Sequence, residues 1–84
     1  MQTLKYHTSR VNKIIELKNK SLVSCSCDKS IIFYSKDNSN KFIKNYKLDT
    51  NNNYSSVIQT KDNEICYSES LNTIYFYDIV QKKK

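Results

Sequence analysis

The sequence contains no glycine, no proline and no tryptophan. Without glycine there is no Gly-rich loop to cradle a phosphate. Nor can any turn use the residue that reaches positive φ at no steric cost. Turns must come from Asn, Asp and Ser instead, and Asn is plentiful, as at Asn38, Asn40, Asn45 and Asn51–Asn53. The bias toward Lys, Asn, Ile and Tyr fits translation from an AT-rich genome and says nothing about function. Apolar runs are short, far below the 18 or so residues that span a bilayer, so no membrane partner is expected. The opening MQTLKYHTSR lacks the apolar stretch of a signal peptide. The expected location is cytoplasmic, with reduced thiols.

The chain has 84 residues, enough for one small domain with a thin core. Its net charge of +6 is scattered, with only Lys82–Lys84 forming a run. A nucleic-acid surface needs its basic residues clustered on one face, so a solvated exterior is the better reading of this spread. The three cysteines are Cys25, Cys27 and Cys66. Residues two apart on a strand share a face about 6.5–7 Å apart, which disfavours a disulfide. A zinc site wants four ligands in paired short spacings, and His7 is the only other soft donor. All three cysteines are expected to pack as small hydrophobes, with no metal and no cofactor.

Apolar residues come in runs of four to eight between polar clusters, which predicts an all-β chain. The expected strands are Thr3–Tyr6, Val11–Leu17, Ser21–Ser26, Ser30–Ser35, Phe42–Leu48, Tyr54–Thr60, Glu64–Ser68 and Thr73–Ile79. A shift of 43 residues places Ile31 on Ile74, Phe33 on Phe76 and Tyr34 on Tyr77. It also places Ile14 on Val57, Lys18 on Lys61, Leu22 on Ile65 and Ser30 on Thr73. A period of 40–45 residues with several strands per unit is the mark of propeller blades. The runs IIFY and IYFY are apolar on both strand faces and so need a cover on both. KFIKNYKL, with its three lysines, reads as an outermost strand.

LVSCSCDKSIIFYS, from Leu22 to Ser35, resembles the second half of a WD repeat, with its approximate pattern L-A-S-G-S-x-D-x-T-I-x-I-W-D. Upstream, LKYHTSRVNKIIEL resembles the opening of such a repeat, with His7 for the His of its Gly-His pair. The resemblance implies four-stranded antiparallel blades and a structural hydrogen-bond network of His7, Ser24, Asp28 and Tyr34. Tyr6 and Cys25 stand where the family has Gly, and Tyr34 stands for its Trp. The second copy has Thr50 at the His position and Leu71 at the Asp position.

The expected organisation is a single partial propeller over 1–84. Residues 3–48 supply the outer strand of a preceding blade and the first complete repeat, 49–80 a second, incomplete repeat, and 81–84 a basic tail. Propellers have about 4–8 blades and fewer than three repeats are unstable alone, so the missing blades must come from the same or another chain. A fragment or short member of a larger propeller is the preferred reading; copies assembled into a ring are the alternative. By analogy with the family, the expected function is a non-enzymatic scaffold for a protein or peptide partner. Tyr6, Thr8, Arg10 and Lys29 are the candidate contacts. The alternative is a basic module for nucleic acid or another anionic partner. No catalytic residue is assigned, because nothing in the pattern pairs His7 with a nucleophile.

Overall fold

The computed structural model describes residues 2–49, 56–70 and 73–82. Seven strands run in chain order: β1 Val11–Glu16, β2 Leu22–Ser26, β3 Ser30–Lys36, β4 Phe42–Asp49, β5 Val57–Lys61, β6 Glu64–Ser70 and β7 Thr73–Asp78. There is no helix among the described residues, and hence none long and apolar enough to cross a membrane. The strands form two antiparallel meanders, a first sheet β1-β2-β3-β4 and a second sheet β5-β6-β7. The chain is all-β, as the short apolar runs predict.

The three turns of the first sheet share one geometry and solve the absence of glycine in the same way. Each loop has three residues, and the last of them takes left-handed φ: Lys20 at 73°, Lys29 at 66° and Asn40 at 64°. This is the conformation that closes three-residue hairpins with a bulge and normally selects glycine. Leu17 and Asp37 close the first and last of these loops by accepting from Lys20 and Asn40 and donating to Ser21 and Lys41. Asp37 also caps its own turn, its Oδ1 accepting from the N–H groups of Ser39 (2.8 Å) and Lys41 (3.0 Å).

The sheets pack face to face. The row Ile15–Val23–Phe33–Tyr46 across the first sheet meets Val57, Ile65, Tyr67 and Tyr77 from the second. Phe33, Tyr46 and Tyr77 form an aromatic trio with ring centres 5.6–6.4 Å apart. The Tyr77 hydroxyl donates to that of Tyr46 at 3.0 Å. Burial, reinforced by that donated bond, pushes the Tyr77 phenol up. β3 is covered on both faces, so Ile31, Ile32, Phe33 and Tyr34 are all buried. β7 is covered on one face only, leaving Ile74 and Phe76 63% and 54% exposed. β4 alternates between exposed and half-buried residues from Asn45 to Asp49, as an edge strand should.

Two expectations need correction. Residues 3–6 pair with no strand among the described residues. They belong to an N-terminal arm laid across the outer face of the first sheet, where Tyr6 sits over Tyr34 with ring centres 6.0 Å apart. Nor do the three cysteines share one role. Cys25 is fully buried in the core, but β2 ends at Ser26, so Cys27 lies in the turn beyond it and is half-buried. There its thiol donates to Asn12 Oδ1 at 3.4 Å. Cys66 is half-buried on the outer face of the second sheet. All three are free thiols, and burial raises the Cys25 pKa. The expected strand start at Tyr54 and the repeat positions Thr50 and Leu71 lie outside the described residues, as do Lys83 and Lys84 of the expected basic tail.

Candidate interaction site at the His7 network

The arm is held to the inner hairpin by side chains. His7 Nδ1 is 2.9 Å from Asp28 Oδ2, and His7 Nε2 is 2.7 Å from Ser24 Oγ. Ser24 Oγ is in turn 2.9 Å from the Tyr34 hydroxyl. The structure thus brings the four expected network residues into one chain of contacts, Asp28–His7–Ser24–Tyr34. Both partners of the first pair are deeply placed, their side chains 4% and 8% exposed.

The wiring follows from donor capacity. A carboxylate only accepts, so with a neutral imidazole Nδ1–H donates to Asp28. Nε2 must then accept from Ser24, and Ser24 Oγ accepts from Tyr34. Each member supplies what the next one lacks.

Asp28 gathers further donors. Its Oδ2 accepts from the Thr8 N–H at 2.9 Å, and its Oδ1 accepts the Ser30 N–H at 3.0 Å and the Ser30 hydroxyl at 2.5 Å. Burial pushes the Asp28 carboxyl up, but the bonds from Ser30, Thr8 and His7 outweigh it and bring the pKa down to about 2. Hydrogen bonds that favour the charged form act in this direction. Ser26 completes the joint: its Oγ accepts from the Asp28 N–H (3.1 Å) and donates to Ser9 O (3.3 Å).

The candidate partner contacts gather beside this joint. Thr8 and Arg10 flank the Asp28 turn from the arm, Thr8 through Asp28 and Arg10 through its carbonyl, which accepts the Cys27 N–H at 2.9 Å. Lys29 stands at the exposed tip of the same turn. Tyr6 is set apart on the outer sheet face, with Lys44 Nζ 5.7 Å from its ring centre. Between arm and β1 lies a cleft of about 320 Å³ whose lining includes Leu4, His7, Ile14, Leu22 and Tyr34.

Ser30 and Ser26 were missed by sequence reasoning. Their signal was Ser-x-Asp-x-Ser, a turn Asp flanked by hydroxyls two residues away on either side. Among the described residues no group of three His, Cys, Asp or Glu side chains is placed to hold a metal. Comparison of the chain with protein-family models, curated proteins and solved structures gives no match.

Proposed function

We propose that this chain is a WD-repeat-like pair of propeller blades that serves as a non-enzymatic protein-interaction scaffold. The observation that carries this reading is the complete engagement of His7. Both ring nitrogens are bound to protein groups, Asp28 on one side and Ser24 on the other. A general base needs a nitrogen within reach of a substrate proton, and here that capacity is used to pin the arm to the hairpin. What the joint leaves outward is a rim of exposed side chains, Thr8, Arg10 and Lys29, suited to a protein or peptide surface.

A photo-crosslinking residue placed at Lys29, with Lys61 as a distant control, tests this in the cell of origin. The expected result is one recurrent protein adduct at position 29 that survives high salt and nuclease treatment and is absent at position 61. Adducts removed by nuclease would favour the basic, anionic-partner module. Equal labelling at both positions, or none, would overturn the scaffold reading.

A further inference from the structure

β4 is the outer edge of the first sheet, and no strand lies beyond it among the described residues. Its outward side is met at one point, by a side chain. The Gln2 amide donates to the Phe42 carbonyl at 2.7 Å and accepts the Phe42 N–H at 3.0 Å. A side-chain amide carries both a carbonyl and N–H donors, so Gln2 gives Phe42 the pair of bonds that a neighbouring strand gives. The contact also shows which residues face outward. Main-chain groups along an antiparallel strand point to alternate sides, so those of Lys44 share the side of Phe42. Asn45 is then an extra residue, since Tyr34 faces Lys44 and Phe33 faces Tyr46. Past this bulge the alternation resumes, and Lys47, opposite Ile32, points its main chain outward again.

The side chains of this edge sort by face. Lys44 and Lys47 lie on the outer face with their partners Tyr34 and Ile32, and Lys44 Nζ is 5.7 Å from the Tyr6 ring centre. Lys36 Nζ stands 5.3 Å over the Phe42 ring at the same edge. The one carboxylate of β4 is Asp49, which is exposed and 3.7 Å from Lys47. It offsets one lysine of the row and leaves the others. The bulge tightens the spacing, because Lys44 and Lys47 are three residues apart in β4 but face β3 residues only two apart. A straight strand on the open side would likewise meet both lysines with residues two apart. The residue between those two would lie on the inner face beside Tyr46, whose half-buried ring has Lys82 Nζ 4.8 Å from its centre.

We infer that the β4 edge takes up an acidic, extended peptide of another protein as an added strand. The pattern it reads is acid–apolar–acid, the two acids opposite Lys44 and Lys47 and the apolar residue beside Tyr46. Opposite charges directly across a strand pair are favourable and like charges unfavourable. Lysines guard a sheet edge against pairing with its own kind. Here they exclude a second β4 and select a strand of the opposite charge. Strand addition draws affinity from the main chain and specificity from alternate side chains. A nucleic acid could match the lysines but has no row of amides to match the edge. This surface is separate from the rim of Thr8, Arg10 and Lys29, and it adds to the scaffold reading a partner of stated chemistry.

Fluorescence anisotropy of a labelled, end-capped peptide of alternating glutamate and valine, titrated with the full chain, tests this. The wild type should bind it, and the double variant Lys44→Glu with Lys47→Glu should bind it about tenfold more weakly. A peptide of alternating lysine and valine should show the reverse preference. Both lysines are exposed, so the variant should keep its β-sheet circular dichroism; Lys44→Gln with Lys47→Gln replaces it otherwise and should also weaken the glutamate peptide. The glutamate peptide N-methylated at every residue keeps its charge but donates no main-chain hydrogen bond, and it should not bind. Four results overturn the inference: a wild type that binds no glutamate peptide, an N-methylated peptide that binds equally well, charge reversal without effect, or a single-stranded oligonucleotide of equal charge that binds as tightly. An edge that binds no peptide while position 29 still captures one protein would defeat strand addition and leave the scaffold reading standing.

Discussion

His7 and Asp28 meet at 2.9 Å across 21 residues of chain, and this contact ties an arm without strand pairing to the central turn of the first sheet. The arm contributes no rung to a ladder among the described residues, so its position rests on side chains. Tyr34 is buried on the outer sheet face with Tyr6 of that arm lying over it. Loosening the contact should therefore expose apolar surface as well as break hydrogen bonds.

Acid should reveal the contact directly. Asp28 titrates near 2 in the folded chain and near 3.9 when unfolded. Its contribution is present above the unfolded value and is lost as pH falls through the folded one, because the unfolded state binds the proton first. The window runs from about pH 4 to pH 2, and the contribution is on the order of 2 kcal/mol. Urea unfolding of the wild type and Asp28→Asn at several pH values isolates it from the other carboxylates. The stability gap between the two should narrow across this window; a constant gap would mean that Asp28 is not held ionised by its partners.

Removing the imidazole should cost stability at neutral pH. His7→Ala deprives the Asp28 carboxylate of one donor and leaves the buried Ser24 hydroxyl with one acceptor fewer. Losing bonds of this kind costs about 1–3 kcal/mol. The urea midpoint should fall with little change in slope. An unchanged midpoint would place the arm's anchoring elsewhere.

Backbone strain points the other way, to a stabilising change. Lys20 is exposed and holds φ of 73°. The left-handed region costs a non-glycine residue roughly 1–2 kcal/mol, and the greater unfolded freedom of glycine takes back roughly 0.5–1 kcal/mol. Lys20→Gly should thus gain about 0.5–1 kcal/mol and raise the thermal midpoint by a few degrees. A lower midpoint would show that the lysine side chain itself supports the turn.

The positions of strands were legible because short apolar runs bounded by Asn, Asp and Ser leave little room for anything else in so small a chain. The edge character of β4 was legible in its lysines. The left-handed turns were not, since Lys20 and Lys29 carry no chemical preference for that conformation; hairpin closure imposes it on them. Residues 3–6 read as a strand because they form a short apolar run ahead of the first repeat, yet pattern alone cannot supply a neighbour to pair with. The end of β2 at Ser26 was legible, but Cys27 was read as a packed hydrophobe because nothing in its chemistry shows that the turn holds it half-buried beside Asn12. The network was legible only through likeness to a repeat, for composition cannot join residue 7 to residue 28. Ser30 was read only as a repeat position because its hydroxyl gains meaning in the network only once the turn folds it back on Asp28.

The sharpest test of the two-sheet packing uses a repeat pair. Ile31 and Ile74 occupy equivalent places in β3 and β7, but Ile31 is fully buried between the sheets and Ile74 is 63% exposed. Ile31→Ala removes buried methyl groups and leaves a cavity, at about 2–5 kcal/mol. In a domain of this size that is a large part of the whole stability, roughly 0.05–0.15 kcal/mol per residue. Ile74→Ala, measured at a dilution where the chain is monomeric, should stay within about 0.5 kcal/mol of wild type, as a surface change does. Equal losses at the two positions would mean that the outer face of the second sheet is already covered within one chain, and that the two sheets do not stack as described.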